Sequence, residues 1–117
     1  MHWNENIERL LNATTKAVEA LAEMVECEEL THNIDKQIDI IWSVMETEAE
    51  IAEYIDNFSF AEVNLKAVKS SKEKFIEINQ KILMHIQKKQ LHGYHLENVY
   101  STVQLEIETL RKETSLM

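Results

Sequence analysis

The chain has one glycine and no proline in 117 residues, so very little in its composition favours the end of a helix. Glycine and proline are the residues that most often interrupt helices and shape tight turns. Along nearly the whole chain the apolar residues recur at three- and four-residue steps, which is the spacing of one helix face. Together these two observations predict an all-α protein.

Interruptions of the apolar pattern divide the chain into four predicted helices, which we assign to one domain spanning residues 1–117. The clearest interruptions are the triplets Thr31-His32-Asn33 and Asn57-Phe58-Ser59 and the neighbourhood of Gly93. The predicted helices cover about residues 4–30, 33–56, 60–92 and 95–113. This arrangement favours an up-and-down four-helix bundle.

Local capping signals set three of the predicted helix ends. Asn4 is the predicted N-cap of the first helix. Ser59 and Glu62 have the spacing of a capping box, in which each side chain accepts the backbone N–H of the other residue. We therefore predict that the third helix begins at Phe60. Gly93 follows a lysine-rich last turn and is the natural left-handed cap of that helix.

The alternative architecture is a long antiparallel hairpin of two helices that pairs with a second copy of itself. An apolar register of seven residues continues across the predicted breaks, which is typical of coiled coils. In the second half this register comprises Val68, Phe75, Ile82, Leu96, Val103 and Leu110. Such a hairpin would be about 80 Å long at about 1.5 Å per residue, and its core would be thin without a partner.

The net charge of −9 argues against nucleic acid or an anionic membrane as the main partner. The charge is uneven, because residues 1–58 carry fourteen acids and three bases whereas residues 59–117 carry seven acids and nine bases. The lysines of the second half either balance acidic neighbours within one bundle or form a docking strip for an acidic partner. The candidate residues of this strip are Lys66, Lys69, Lys88 and Lys89.

Several features of the chain favour a cytoplasmic protein. No apolar run approaches the length of about 20 residues that a membrane span needs. The start Met1-His2-Trp3-Asn4 has neither the basic nor the apolar region of a signal peptide. Cys27 is the only cysteine, so it forms no internal disulfide. It falls on the apolar seam beside Met24, and we expect a buried, unreactive thiol.

Three histidines are the best candidates for a metal site. His85 and His92 lie two turns apart on one predicted face, and His95 follows one turn later if the helix continues past Gly93. Three imidazoles can hold zinc, but His92 and His95 also fit the exposed end of a capped helix. A carboxylate-bridged di-iron site needs two Glu-x-x-His pairs, and this sequence has only one. We therefore assign no metal and no cofactor.

The enzymatic alternative is a metal- or magnesium-nucleotide-dependent enzyme of the helical-bundle type. Glu19, Glu23 and Glu26 share one helical face, as clustered acids do in all-helical nucleotide pyrophosphohydrolases. The first acidic motif of that family is incomplete here, and in the second motif Lys36 stands where a glutamate would precede Asp39. The alternative second motif, Glu50-Ile51-Ala52-Glu53, has the spacing but ends in glutamate instead of aspartate. Acidic runs of this kind are usually solvated helix faces.

Three short runs in the C-terminal half share a pattern with a known family. They are Ala67-Val68-Lys69, His85-Ile86-Gln87-Lys88-Lys89 and Glu97-Asn98-Val99-Tyr100-Ser101-Thr102. In these runs the chain resembles the YppE-like family of small four-helix-bundle proteins from Gram-positive bacteria. The resemblance implies a four-helix fold and a bacterial cytoplasmic setting, and it implies no activity and no site residue.

We expect a non-catalytic protein that acts through protein–protein contacts, as a small regulator, an adaptor or a chaperone-like binder, with a homodimer as one form. Two of the predicted helices have more apolar residues than one seam needs, and the additional residues form a second stripe beside it. A second stripe that the core leaves exposed can bind a partner helix. On the first helix Leu11, Val18 and Val25 run beside Leu10, Ala17 and Met24. On the third helix Ile76 and Leu83, the candidate partner-binding residues, run beside Phe75 and Ile82.

Overall fold

The computed structural model describes residues 2–29 and 32–117, and the regular structure of this part is helical throughout. Four helices are present: α1 (Glu5–Glu26), α2 (Ile34–Asp56), α3 (Leu65–Leu91) and α4 (Glu97–Ser115). They pack as a four-helix bundle, which confirms the predicted fold class. None of these described helices combines the length and the apolarity that crossing a membrane requires.

The helices follow one another around the bundle in the order α1, α2, α4, α3. α1 packs on α2 and on α3, while α4 packs mainly on α3 and less on α2. Two hydrogen bonds, Asn64–Glu8 and Thr15–Ser71, join α1 to the start of α3. The later residue of α1 bonds to the later residue of α3, so these two neighbouring helices are parallel. The connection from α2 to α3 therefore crosses one end of the bundle diagonally.

The apolar core takes residues from all four helices. Its most deeply buried apolar side chains are Val18, Val25, Val44, Val68, Ile82, Ile86 and Val103. The molecule measures 48 × 26 × 17 Å. The two-helix hairpin, about 80 Å long, is therefore wrong, because the chain reverses between α1 and α2 and again between α3 and α4.

The start of α3 differs from the prediction. Ser59 does not cap a helix at Phe60, because residues 59–62 form a single turn in which the Glu62 N–H donates to the Ser59 carbonyl (3.0 Å). The helix begins instead at Leu65, where the Asn64 side chain accepts from the Ala67 N–H. Asn64 also donates to the Glu8 carboxylate of α1 at 2.7 Å. This bond between two helices is a tertiary signal that local capping rules do not contain.

α1 begins as predicted, with Asn4 accepting from the Ile7 N–H, but it ends at Glu26 rather than at residue 30. Its last turn closes through the Cys27 N–H, which donates to the Met24 carbonyl at 3.2 Å. Cys27 is half-buried at this helix end, rather than buried as expected. Leu30 and Thr31, where the predicted end and the predicted break fall, lie outside the described residues.

The C-terminus of α3 confirms the predicted role of Gly93. Gly93 has a φ of +93°, and its N–H donates to the Gln90 carbonyl at 3.0 Å. The Tyr94 N–H reaches back to the Lys89 carbonyl at 3.3 Å, which completes a Schellman motif. Because the helix ends here, the register that would have continued from α3 into α4 is interrupted.

Gly93→Ala is expected to lower the free energy of unfolding by about 1 kcal/mol. A Cβ at this position meets nothing within 4 Å, so the cost comes from the left-handed backbone and not from a clash. Urea denaturation measures the loss, and Gly93→Asn serves as the control because asparagine tolerates this conformation better. Equal losses for both variants would contradict the backbone explanation.

Candidate functional site

An apolar groove opens between the N-terminal half of α1 and the C-terminal half of α2. It holds a cavity of about 180 Å³. Its apolar lining comprises Trp3, Ile7, Leu10, Leu11, Ile51, Tyr54 and Ile55. Leu10 is 52% exposed and Tyr54 is 39% exposed, so large apolar side chains face the solvent at the mouth of the groove. Exposed apolar side chains gathered in one concave place are typical of a binding surface.

Trp3 closes one end of the groove and is held on two sides. Its indole N–H donates to the Glu8 carboxylate at 2.9 Å, and its ring meets Phe58 edge-on with centroids 5.3 Å apart. Glu8 also accepts from Asn64, and the hydrogen bonds from Trp3 and then Asn64 lower the pKa of this carboxyl. The Trp3 ring is therefore positioned before any partner arrives.

The exposed apolar surface continues from the groove along α1. Leu10, Ala17 and Met24 lie seven residues apart on its outer face, and Leu10 and Met24 are 52% and 38% exposed. Their neighbours Leu11, Val18 and Val25 are buried instead. The expectation was that the seam residues would be buried and that the second stripe could stay exposed. The structure shows the reverse on α1, where the second stripe forms the core and the seam residues are exposed.

An acidic row follows the groove along α2. Glu46, Glu50 and Glu53 are exposed and are spaced by four and three residues, so they share one helix face. The residues immediately after the first two, Thr47 and Ile51, line the groove, as does Glu50 itself. One wall of the groove therefore has negative charge along its outer edge.

A second polar feature lies inside the bundle, between α2 and α3. Glu48 is 2% exposed and Asn79 is 0% exposed. The Asn79 side-chain N–H donates to Oε2 of Glu48 at 3.0 Å. Oε1 of Glu48 and Oδ1 of Asn79 find no hydrogen-bond partner among the described residues. Burying such atoms without partners is costly, so they identify a place where the bundle departs from simple core packing.

A small cavity of about 20 Å³ adjoins Glu48. It is also lined by Lys72 of α3 and by Glu106 and Glu113 of α4. Lys72 is buried and pairs with Glu113. Burial raises the pKa of Glu48 to about 8 against the hydrogen bond from Asn79, which lowers it, and the Glu106 charge acts in the same direction as burial. Burial, followed by the Glu113 charge, likewise raises the pKa of Glu106.

The structure does not bring the three candidate histidines together. His85 is half-buried on α3, with its Nε2 atom 2.9 Å from Oε1 of Gln37, and burial lowers its pKa. His92 lies exposed at the C-cap of α3, and His95 lies exposed beyond Gly93, 3.6 Å from Glu97. Across residues 2–29 and 32–117, no group of three or more His, Cys, Asp or Glu side chains is arranged to hold a metal ion.

The predicted partner-binding residues have different surroundings. Ile76 and Leu83 are half-buried and pack against the core. The four lysines are also distributed unevenly, since Lys66, Lys69 and Lys88 are exposed on α3 while Lys89 pairs with Glu28 at 3.3 Å.

The acidic face of α1 lies against basic residues of α3. Glu19, Glu23 and Glu26 line a surface cleft together with Lys74 and Lys81. Glu19 pairs with Lys74 at 2.7 Å, and the hydrogen bond from that lysine lowers the pKa of Glu19. For these two lysines the surroundings are of the charge-balancing kind, which is one of the two alternatives for the lysines of the second half.

Sequence reasoning missed the internal polar cluster, although a signal was present. Val68, Phe75 and Ile82 were recognised as an apolar register, and Lys72 and Asn79 occupy the positions between them at steps of four and three. On α2, Glu48 follows Met45 by three residues. Polar residues in core register are uncommon unless they meet one another, so their joint occurrence was the available clue.

Comparison of the chain with protein-family models, curated proteins and solved structures finds no match. The resemblance to the YppE-like family therefore stays an expectation. What the chain does has to be inferred from its own surfaces.

Proposed function

We propose that this protein is a non-catalytic binding module that takes a basic amphipathic helix of a partner protein into the groove between α1 and α2. The observation that carries the proposal is the apolar cavity of about 180 Å³ with Leu10 and Tyr54 exposed at its mouth. An amphipathic helix laid into such a groove buries apolar side chains on both partners.

The size and chemistry of the groove favour a side chain over a metabolite. Pockets for small molecules usually measure about 300–1,000 Å³ and carry a few convergent polar groups. The cavity between α1 and α2 is smaller, at about 180 Å³, and among the described residues that line it only Glu50 is charged. One or two apolar anchors from a partner helix fit this space better than a cofactor or a substrate does.

The charge around the groove favours a basic partner. Glu46, Glu50 and Glu53 form an exposed acidic row on α2, and Glu50 reaches the groove itself. Residues 1–58, which include both walls, carry fourteen acids and three bases. Lysine and arginine residues at the edge of a partner helix would meet this row and speed association at low salt.

A synthetic helical peptide tests the proposal directly. It has about 14 residues, which make about four turns, with leucines on one face and lysines elsewhere. Isothermal titration calorimetry should detect binding that weakens with salt. Two control peptides should bind at least about tenfold less tightly: one with the lysines replaced by glutamate, and one with the leucines moved off the common face. Equal binding of all three peptides would contradict a specific groove.

Leu10→Ala is expected to weaken binding of the lysine–leucine peptide about tenfold. Leu10 lines the groove and is 52% exposed, so shortening it removes contact area while costing the fold little. Leu105→Ala is the matched control, since Leu105 is 62% exposed on α4 and outside the groove. Unchanged affinity for Leu10→Ala, or the same loss for both variants, would count against the groove.

Self-association is the competing use of the same surface, because a second copy also offers apolar side chains. Sedimentation of the wild-type protein and of Leu10→Ala distinguishes the two. A dimer that Leu10→Ala dissociates would mean that the occupant is a second copy and not a basic helix.

The proposed setting is the cytoplasm of a bacterium, supported by the single cysteine and by the YppE-like resemblance.

A further inference from the structure

The pair formed by Glu48 and Asn79 is chemically incomplete if both side chains keep their usual forms. An ionised carboxylate only accepts hydrogen bonds, and the amide oxygen of asparagine also only accepts. Oε1 of Glu48 and Oδ1 of Asn79 are both buried, and no residue in the ranges 2–29 and 32–117 gives either of them a hydrogen bond. One proton on Glu48 supplies the donor that is lacking, because a neutral carboxyl both donates and accepts.

We propose that Glu48 holds a proton in the folded protein, that this proton bonds its carboxyl to the amide oxygen of Asn79, and that its loss disturbs the neighbouring groove. The neutral carboxyl and the amide then form two hydrogen bonds in opposite directions. One of them, from Asn79 to Oε2 of Glu48, is already formed at 3.0 Å. The part of the proposal that concerns the groove rests on the proposed function.

The charged groups around Glu48 favour the neutral form. Glu106 and Glu113 face the shared cavity from α4, and Lys72 faces it from α3. Lys72 is paired with Glu113, so its charge is already compensated. Described residues of α1 contribute nothing to the cavity lining. Burial raises the pKa of Glu48 to about 8, and it outweighs the hydrogen bond from Asn79, which lowers this pKa, while the Glu106 charge raises it further.

One segment of α2 lies between the groove and the small cavity beside Glu48. Ile51 and Ile55 line both of them. Glu48 lies one turn before Ile51 on the same helix. An ionised Glu48 keeps the Asn79 N–H but leaves Oε1 without a donor among the described residues, and a buried charge of this kind requires water or a shift of α2. Either response moves the wall that the partner helix would contact.

The pH dependence of stability tests the proton without any partner. A group that is protonated in the folded state and ionised in the unfolded state makes the protein less stable as pH rises between its two pKa values. For Glu48 this window runs from the ordinary value of 4.5 to about 8. Within this window, the contribution of Glu48 should lower the folding equilibrium constant by about tenfold for each unit that the pH rises. This loss should level off above the window.

Glu48→Gln should remove this contribution, because glutamine carries permanently the donor and the acceptor of the neutral acid. We expect the variant to match the wild type near pH 5 and to be at least about tenfold more stable, as an equilibrium constant, near pH 8. Glu46→Gln is the matched control, since Glu46 is exposed on the same helix and should leave the slope unchanged. Any remaining slope of Glu48→Gln comes from other groups with a shifted pKa, chiefly Glu106, whose pKa is raised, and His85, whose pKa is lowered and whose contribution has the opposite sign.

A titration of the wild-type protein keeps the proposal testable if Glu48→Gln does not fold. Carbon-13 NMR of the glutamate side-chain carboxyl groups follows each acid directly, and the resonance of Glu48 should titrate near 8. Titration near the ordinary 4.5, or a Glu48→Gln variant less stable than wild type across the range from about pH 5 to about pH 9, would overturn the proposal.

Peptide binding then tests the link to the groove. Affinity of the lysine–leucine peptide should fall as pH rises through the Glu48 titration, and Glu48→Gln should abolish that fall. If the peptide binds equally at all pH values, the link is wrong while the proton pair is still judged by the stability data. If no peptide binds at any pH, the proposed function fails, and the same stability data decide the proton pair separately.

Discussion

Replacing Phe75 by alanine is expected to lower the free energy of unfolding by about 3–5 kcal/mol. This loss is large, because the free energy of unfolding of a typical domain is only about 5–15 kcal/mol. Phe75 is 3% exposed and belongs to the core cluster that all four helices share. Its removal loses the transfer free energy of the ring and leaves a cavity that the helices fill only in part. Urea denaturation followed by circular dichroism measures the change.

Phe60→Ala is the matched control for this variant, because it removes the same ring from the surface. Phe60 is 72% exposed in the connection between α2 and α3. We expect a change within about 0.5 kcal/mol. Similar losses for the two variants would show that Phe75 does not carry the core packing described above.

Asn79→Asp is expected to destabilise the protein by about 2–4 kcal/mol near pH 8 and by less near pH 5. The substitution keeps the shape of the side chain but removes the N–H that donates to Oε2 of Glu48. It also places two carboxyl groups together where both residues are almost fully buried. At low pH both groups carry protons and bond to each other, whereas at high pH at least one bears an unpartnered charge.

Asn98→Asp provides the comparison, since it makes the same change on an exposed residue in the first turn of α4. A carboxylate near a helix N-terminus is neutral to slightly stabilising, so we expect a change within about 0.5 kcal/mol that favours the folded state. Thermal melts of both variants at several pH values measure the difference. A loss for Asn79→Asp that does not vary with pH would contradict a buried carboxyl pair.

The helices and two helix ends, the Asn4 N-cap of α1 and the Gly93 cap of α3, were predictable because their signals are local. The spacing of apolar residues marked all four helices, and Gly93 marked the Schellman motif at the end of α3. The start of α3 was not predictable from the same kind of signal. Ser59 and Glu62 satisfy the capping-box pattern, yet Asn64 begins the helix because it also bonds to Glu8 across the bundle.

The candidate groove was predictable only in outline. The sequence showed that α1 has more apolar positions than one seam needs, but not which of them face the core. Leu11 is 6% exposed and Leu10 is 52% exposed, although they are adjacent and identical in type. The choice between them depends on where α2 and α3 lie around α1, and no residue of α1 contains that information.

The sequence by itself determined that this protein is helical, where most of its helices lie and how its charge is divided, since periodicity, capping and composition are properties of neighbouring residues. The tertiary structure alone decided which stripe of α1 stays exposed, and it placed Glu48 against Asn79, thirty-one positions away, in a buried pair. The physical reason is that burial depends on what packs against a helix face. Both the groove and the proton proposed for Glu48 follow from that packing.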